Sequence, residues 1–131
     1  MTDKLERLSS YMNWAALTEN VREQVISSWP GPVSWLVPAS SGTGADLRGK
    51  YSTLAVRITA FATLRELCSA AAVPLVSTSA NRRGEVPCTT VTEVERVFAD
   101  EIDYILDLPI QGLATPSKII DAATQQIIRP A

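Results

Sequence analysis

Short strand-like segments alternate with helix-like segments along most of this chain of 131 residues. The clearest strand pattern covers residues 53–58, where apolar side chains at every second position define one face. Thr53 and Arg57 fall on the opposite face, so a hydroxyl and a guanidinium point the same way. This alternation is typical of an α/β sheet with helices packed on it, and we expect a single domain over residues 1–131.

The other predicted elements continue this alternation. Thr18 is of a residue type that favours the N-cap, and we predict a helix from there through Ser28. Residues 1–14 carry apolar residues at helical spacing, and a loop is expected at 109–116. The remaining predicted helices cover residues 63–72 and 91–99. In the first of these we expect four residues to be buried: Leu64, Leu67, Cys68 and Ala71. The remaining predicted strands cover residues 33–37, 74–77, 104–106, 118–121 and 126–129.

Composition excludes several classes of chemistry. The chain has no histidine and only two cysteines, so we expect no metal site and no histidine-based catalysis. The N-terminal residues form no apolar signal segment, and no apolar run is long enough to span a bilayer. The two cysteines, Cys68 and Cys88, have no metal-binding or redox-motif spacing. We therefore expect a cytoplasmic protein that does not bind membranes.

Two groups of polar residues are candidates for binding an anion. Ser77, Ser79 and Asn81 follow a predicted strand at alternate positions, an arrangement that suits phosphate or carboxylate oxygens. The alternative is a serine-rich turn that hydrogen-bonds its own backbone. Arg57 interrupts an apolar strand and either grips an anion or forms an internal salt bridge. Arg129 near the end of the chain raises the same question, and its alternative is an exposed terminal arginine. Arg82 and Arg83 could add positive charge beside Asn81.

Five short segments occur in order along the chain: SWPGPVSWLVP, LAVRI, PLVSTSAN, TPSKIID and IIRP. Together they resemble the YrdC-like family of threonylcarbamoyl-AMP synthases, and the resemblance extends from Thr18 to Pro130. It implies a twisted open mixed α/β sheet, here N-terminally truncated relative to the family domain. It also implies a cytoplasmic nucleotidyltransferase of tRNA threonylcarbamoyladenosine (t6A) modification, which uses L-threonine, bicarbonate and ATP.

The resemblance also implies roles for individual residues. Arg57 would hold the threonine carboxylate, with Ser77 nearby. The residues that would line the ATP side are Thr53, Ser79, Asn81, Ser117 and Arg129. ATP would be a substrate, with Mg²⁺ accompanying it, and no tightly bound cofactor is expected.

The chain departs from the family pattern in a way that bears on activity. The family's TyrProThrGlu-type strand and Lys-x-Arg motif do not occur, since none of Lys4, Lys50 and Lys118 lies two residues before an arginine. Adenylyl transfer depends on cations placed around the phosphates, so we expect impaired catalysis in this chain. An exposed sheet edge would also favour a homodimer or another protein partner.

Two hypotheses of different classes follow. The first is a threonylcarbamoyl-AMP synthase-like enzyme that acts with other t6A-pathway proteins. The second is a non-catalytic module that binds nucleotide, RNA such as tRNA, or a partner protein. RNA binding through the basic residues between Ala45 and Glu85 would weaken steeply with salt, and a flat salt response would remove that idea. These residues are Arg48, Lys50, Arg57, Arg65, Arg82 and Arg83. A third interpretation, carbamoyl-adenylate chemistry of the hydrogenase-maturation type, fits less well because no zinc-binding or acylphosphatase-like segment occurs.

Overall fold

The computed structural model describes residues 1–108 and 117–130. Its α-helices are α1 (Glu19–Ser27), α2 (Ala45–Arg48), α3 (Ala62–Ala71) and α4 (Val91–Phe98). Its strands are β1 (Val33–Pro38), β2 (Thr53–Val56), β3 (Lys118–Asp121) and β4 (Ile127–Arg129). Short 3-10 helices lie at Leu5–Leu8, Trp14–Ala16 and Ala99–Glu101.

The strands form a mixed open sheet in the order β2-β1-β3-β4. β1 is antiparallel to β2 and parallel to β3, and β3 is antiparallel to β4. The predicted α/β fold with a mixed open sheet and packed helices is therefore confirmed. As a consequence of these directions, β2 and β4 end at the same end of the sheet at which β1 and β3 begin.

The core lies against one face of this sheet. Trp35 and Val37 of β1 are buried, as is Val56 of β2, because period-two alternation sends them to the same side. Val25 of α1 and Leu8 complete the centre of the core. The opposite face of the sheet is less covered, which leaves room there for polar side chains.

Helix starts were predicted well. Thr18 is the N-cap of α1 and its hydroxyl accepts a hydrogen bond from the Val21 N–H. Thr90 caps α4 in a reciprocal capping box with Glu93, whose carboxylate accepts from the Thr89 and Thr90 N–H groups at 2.7 and 3.1 Å. These N–H hydrogen bonds hold the pKa of Glu93 below its ordinary value.

The chain divides into two compact units. The first comprises Met1–Val76 and Thr115–Ala131, and it contains the sheet and the core. The second comprises Ser77–Ala114. In the described part of the second unit, residues 77–108, no residue is buried, and the apolar side of α4 is only partly covered.

Two predicted strands are absent from the described residues. Residues 74–77 form no strand because Leu75 pairs its N–H and C=O only with Met1, and the chain then enters the second unit. Residues 104–106 also form no strand: Tyr104 is 78% exposed, and no neighbouring strand within residues 1–108 and 117–130 pairs with them.

Other local expectations had mixed outcomes. Of the α3 residues expected to be buried, Cys68 is fully buried and Leu64 is partly buried, but Leu67 and Ala71 are exposed. The helix therefore packs through a narrower stripe than its sequence pattern indicates. The loop predicted at 109–116 lies outside the described residues. Within the described ranges, no helix has the length and apolar character needed to cross a bilayer.

Candidate functional site

Arg57 follows directly after β2, on the face of the sheet that lies away from the core. Val56 and Ile58 on either side of it are buried, whereas Arg57 is half-buried and Ala55 is exposed. The Arg57 carbonyl accepts a hydrogen bond from the Thr2 N–H at 3.0 Å, so the backbone remains fixed beyond the last residue of the strand. The predicted placement of Arg57 on the face opposite Val56 and Ile58 is thus confirmed.

The Arg57 guanidinium has no carboxylate partner within residues 1–108 and 117–130. It donates instead to the Ser117 hydroxyl and, at 3.2 Å, to the Met1 sulfur, which is a weak acceptor. Burial is the main cause that lowers the pKa of Arg57 from its ordinary value, and the nearby positive charge of Arg129 lowers it further. An internal salt bridge, the alternative interpretation of this residue, is not seen in the described residues.

Arg129 reaches the same place from the last strand. Its Nε and Nη2 groups donate to the Ser117 carbonyl oxygen at 3.2 and 2.7 Å. Arg129 pairs with Ile119 across the β3–β4 ladder, and Ser117 lies two residues before Ile119, at the start of β3. Arg57, Ser117 and Arg129 therefore converge at one end of the sheet, where β2 and β4 end and β3 begins.

This cluster can hold an oxyanion. Two guanidiniums supply planar N–H donors suited to a carboxylate or phosphate in two-point contact. Burial is the larger cause of the lowered pKa of Arg57, and the positive charge of Arg129 adds to it; a bound negative charge would offset this repulsion. The cluster is open to ligand because Arg129 is exposed and Arg57 is half-exposed.

Thr53 lies away from this cluster. It begins β2 and pairs with Pro38 at the opposite end of the β1–β2 ladder from Arg57. With a rise of about 3.3 Å per residue, the two Cα atoms are about 13 Å apart along the strand. Thr53 shares the sheet face with Arg57, as predicted, but the structure does not bring their side chains together.

Ser77, Ser79 and Asn81 lie at the beginning of the second unit. Both serines are exposed. The Asn81 side-chain amide donates to the Arg82 and Glu85 carbonyl oxygens at 2.9 and 3.0 Å, so its N–H groups are used to hold its own loop. The alternative of a turn that bonds its own backbone is therefore realised for Asn81, while the serine hydroxyls remain accessible.

Arg82 does not supply free positive charge beside Asn81. Its guanidinium forms an ion pair with Glu101 and donates to the Val97 carbonyl oxygen at 3.3 Å. It also stacks on the Phe98 ring, with its Cζ 5.0 Å from the ring centre. The suggestion that Arg82 adds charge to a binding site is wrong, because a carboxylate already neutralises it.

Two residues that contact these arginines, Glu101 and Met1, were not predicted from the sequence. Glu101 lies in an acidic stretch with Asp100 and Asp103, and nothing in its spacing pointed to Arg82. The contact between Met1 and Arg57 joins residues far apart in sequence and had no local signal. No group of three histidine, cysteine, aspartate or glutamate side chains in the described ranges could hold a metal ion.

Comparison with known proteins places these residues in context. The Sua5/yciO/yrdC family model, described as "Telomere recombination", matches residues 1–131. The chain is 44% identical over 124 residues to the threonylcarbamoyl-AMP synthase of Baumannia cicadellinicola, covering 95% of this chain and 62% of that protein. It is 40% identical over 124 residues to the threonylcarbamoyl-AMP synthase of Vibrio campbellii, covering 95% of this chain and 67% of that protein. The chain thus spans less than two thirds of the Baumannia protein and about two thirds of the Vibrio protein.

Solved structures show the same fold. The H234A/Y235A variant of P. abyssi Sua5 matches with a TM-score of 0.88 at 24% identity, covering 98% of this chain and 40% of that one. P. abyssi Sua5 complexed with L-threonine matches with a TM-score of 0.87, also at 24% identity, covering 98% and 38% of the two chains. At this level of identity the similarity concerns the fold.

Proposed function

The chain belongs to the Sua5/yciO/yrdC family, and on that premise we propose that it binds L-threonine and ATP and serves the formation of threonylcarbamoyl-AMP in t6A modification of tRNA. The observation that carries the proposal is the convergence of Arg57 and Arg129 on Ser117 with no carboxylate partner in the described ranges. Two neighbouring guanidiniums repel each other, and an anionic ligand bound between them would relieve that repulsion. Two relatives that are 44% and 40% identical to this chain are named threonylcarbamoyl-AMP synthase, which supports the proposal.

The reaction requires that three substrates be held together. The threonine amine joins the carbon of bicarbonate with loss of water, and an oxygen of the resulting carbamate displaces pyrophosphate from the α-phosphorus of ATP. Arg57 would hold the threonine carboxylate in two-point contact, with Ser77 nearby. Ser117 would orient the guanidiniums, and Arg129, Ser79, Asn81 and Thr53 would contribute to ATP binding.

The described residues contain no group of histidine, cysteine, aspartate or glutamate side chains that could hold a metal ion. Mg²⁺ would arrive already bound to the phosphates of ATP.

The proposal is tested by L-threonine binding, measured calorimetrically with the 131-residue chain, and by pyrophosphate release from ATP with and without threonine and bicarbonate. Arg57→Ala should weaken threonine binding by about tenfold or more, since it removes charged hydrogen bonds. Arg83→Ala is the matched control, because Arg83 is exposed and makes no ion pair in the described ranges. Equal threonine affinity in wild type and Arg57→Ala would contradict the proposal.

A second candidate is a binding module that holds an anion at the cluster of Arg57, Ser117 and Arg129 without catalysis. Such a module would bind nucleotide, tRNA or another t6A-pathway protein in the cytoplasm. Threonine binding without any pyrophosphate release would support it, and a steep fall of tRNA affinity with salt would identify RNA as its ligand.

A homodimer is a related proposal. β4 is an edge strand whose Ile127 and Ile128 are 57% and 54% exposed. Sedimentation of wild type and an Ile128→Lys variant would test pairing at this edge. A wild-type chain that stays monomeric at high concentration would contradict it.

A further inference from the structure

The loop that carries Asn81 is a tight turn built on Arg82. The Glu85 N–H donates to the Arg82 carbonyl oxygen at 3.0 Å, and Gly84 between them has a φ of +86°. This is the pattern of a type II turn, in which the third position requires positive φ. The Asn81 side chain bonds the carbonyl oxygens at both ends of the turn, so its orientation depends on where the turn is held.

The Arg82 side chain connects this turn to the C-terminal end of α4. The Arg82 guanidinium contacts three groups there: the Glu101 carboxylate, the Val97 carbonyl oxygen and the Phe98 ring. A cation is favoured at this position because the last carbonyl groups of a helix lack intrahelical partners and carry partial negative charge. We call these contacts of Arg82 with Val97, Phe98 and Glu101 the Arg82 latch.

A single exposed ion pair would fix little, since such pairs contribute weakly. The Arg82 latch differs because carboxylate, carbonyl and ring restrain one planar group from several directions, which fixes its orientation as well as its position. The second unit has no buried residue in its described part, so few apolar contacts there can restrain the loop. The latch is therefore a principal restraint on the loop in that unit.

We propose that Arg82 is a positioning residue, which holds the segment of Ser79 and Asn81 in the conformation that binds ATP by fastening its loop to the end of α4. This inference deepens the proposed function and rests on it for the identity of the ligand. Arg82 itself touches neither substrate in this scheme. It acts through the turn and through the Asn81 amide.

The latch is tested first without any ligand, by amide hydrogen exchange on the full chain. The reporters are the amides of Asn81, Glu85 and Cys88, which bond within the loop. Arg82→Ala should accelerate their exchange by about tenfold, because the loop opens locally more often. Arg83→Ala, which alters the neighbouring arginine in the same turn, should leave the exchange rates within about twofold. Unchanged exchange in Arg82→Ala would overturn the latch.

The functional part is tested by ATP and threonine affinity in the same variants. Arg82→Ala should weaken ATP binding by about fivefold and leave threonine binding within about twofold. Arg82→Lys should restore part of the ATP affinity, because lysine keeps the positive charge but lacks the paired N–H donors of the planar guanidinium. Faster exchange with unchanged ATP affinity would overturn the positioning role. If wild type binds no ATP at all, the proposed function fails instead, and the exchange data alone decide the latch.

Discussion

Arg57 and Arg129 share one acceptor residue: Arg57 donates to the Ser117 hydroxyl and Arg129 donates to the Ser117 carbonyl oxygen. One contact therefore uses the side chain of Ser117 and the other uses its backbone. A substitution at Ser117 can release the first arginine while retaining the second.

Ser117→Ala should weaken L-threonine binding by about fivefold, less than Arg57→Ala, because Arg57 loses its acceptor but keeps its charge. ATP affinity should change by less than about twofold, since the carbonyl oxygen that holds Arg129 is retained. Ser117→Thr keeps a hydroxyl and should restore threonine affinity. Calorimetric titration of each ligand measures both effects. A larger loss for ATP than for threonine would mean that Ser117 acts mainly on the nucleotide.

Anions should stabilise the protein through the same cluster. The pKa of Arg57 is lowered by burial and by Arg129, so at all ordinary pH values, below that pKa, the charged guanidinium costs native-state stability. Pyrophosphate at about five times its dissociation constant should contribute about 1 kcal/mol, a rise of several degrees in Tm. Thermal unfolding at matched ionic strength with chloride is the control for screening. An equal shift in Arg129→Gln would place the anion elsewhere.

Glu101 should titrate below an ordinary glutamate. The hydrogen bonds from Arg82, followed by its charge, lower the Glu101 pKa. A lowered carboxylate pKa gives stability that is present above the unfolded-state pKa, about 4.3, and lost as pH falls through the folded value. Arg82→Ala should return the Glu101 pKa to its ordinary range, as followed by NMR. Glu93 is the internal control, because its pKa is lowered by N–H groups of Thr89 and Thr90 and should not respond.

A pair of leucines tests the packing. Leu8 is 2% exposed in the core, whereas Leu67 on α3 is 49% exposed. Leu8→Ala should lower the free energy of unfolding by about 2–5 kcal/mol, since it removes buried atoms and leaves a cavity. Leu67→Ala should cost about 1 kcal/mol or less. Urea unfolding of both variants measures the difference. Similar losses would show that α3 is covered more deeply than its exposure indicates.

The sequence was informative where local rules decide the outcome. Period-two alternation predicted the side of the sheet on which Arg57 lies, and the hydroxyl of Thr18 marked the start of α1. The same apolar patterns failed at residues 74–77 and 104–106. A strand exists only where a neighbouring strand pairs with it, and no local pattern contains that information.

The candidate site, too, was only partly predictable from local sequence patterns. Arg57 and Arg129 could be selected as costly charges in apolar strands, and resemblance to a family pointed to Ser117. Their meeting depends on the parallel pairing of β1 with β3, which joins distant parts of the chain and is not encoded by spacing. Arg82 could not be assigned correctly for a similar reason, since its partner Glu101 is selected by the path of the loop.

The parallel pairing of Val33 with Lys118 has a consequence for how the protein is made. On the ribosome, β1 and β2 emerge well before β3, which is the neighbour of β1 on its other side. The nascent chain therefore carries an open hairpin until β3 has been synthesised, and pairings between such distant segments form slowly. The site of Arg57 and Arg129 is accordingly among the last parts of the protein to be assembled, after translation of β4 is complete.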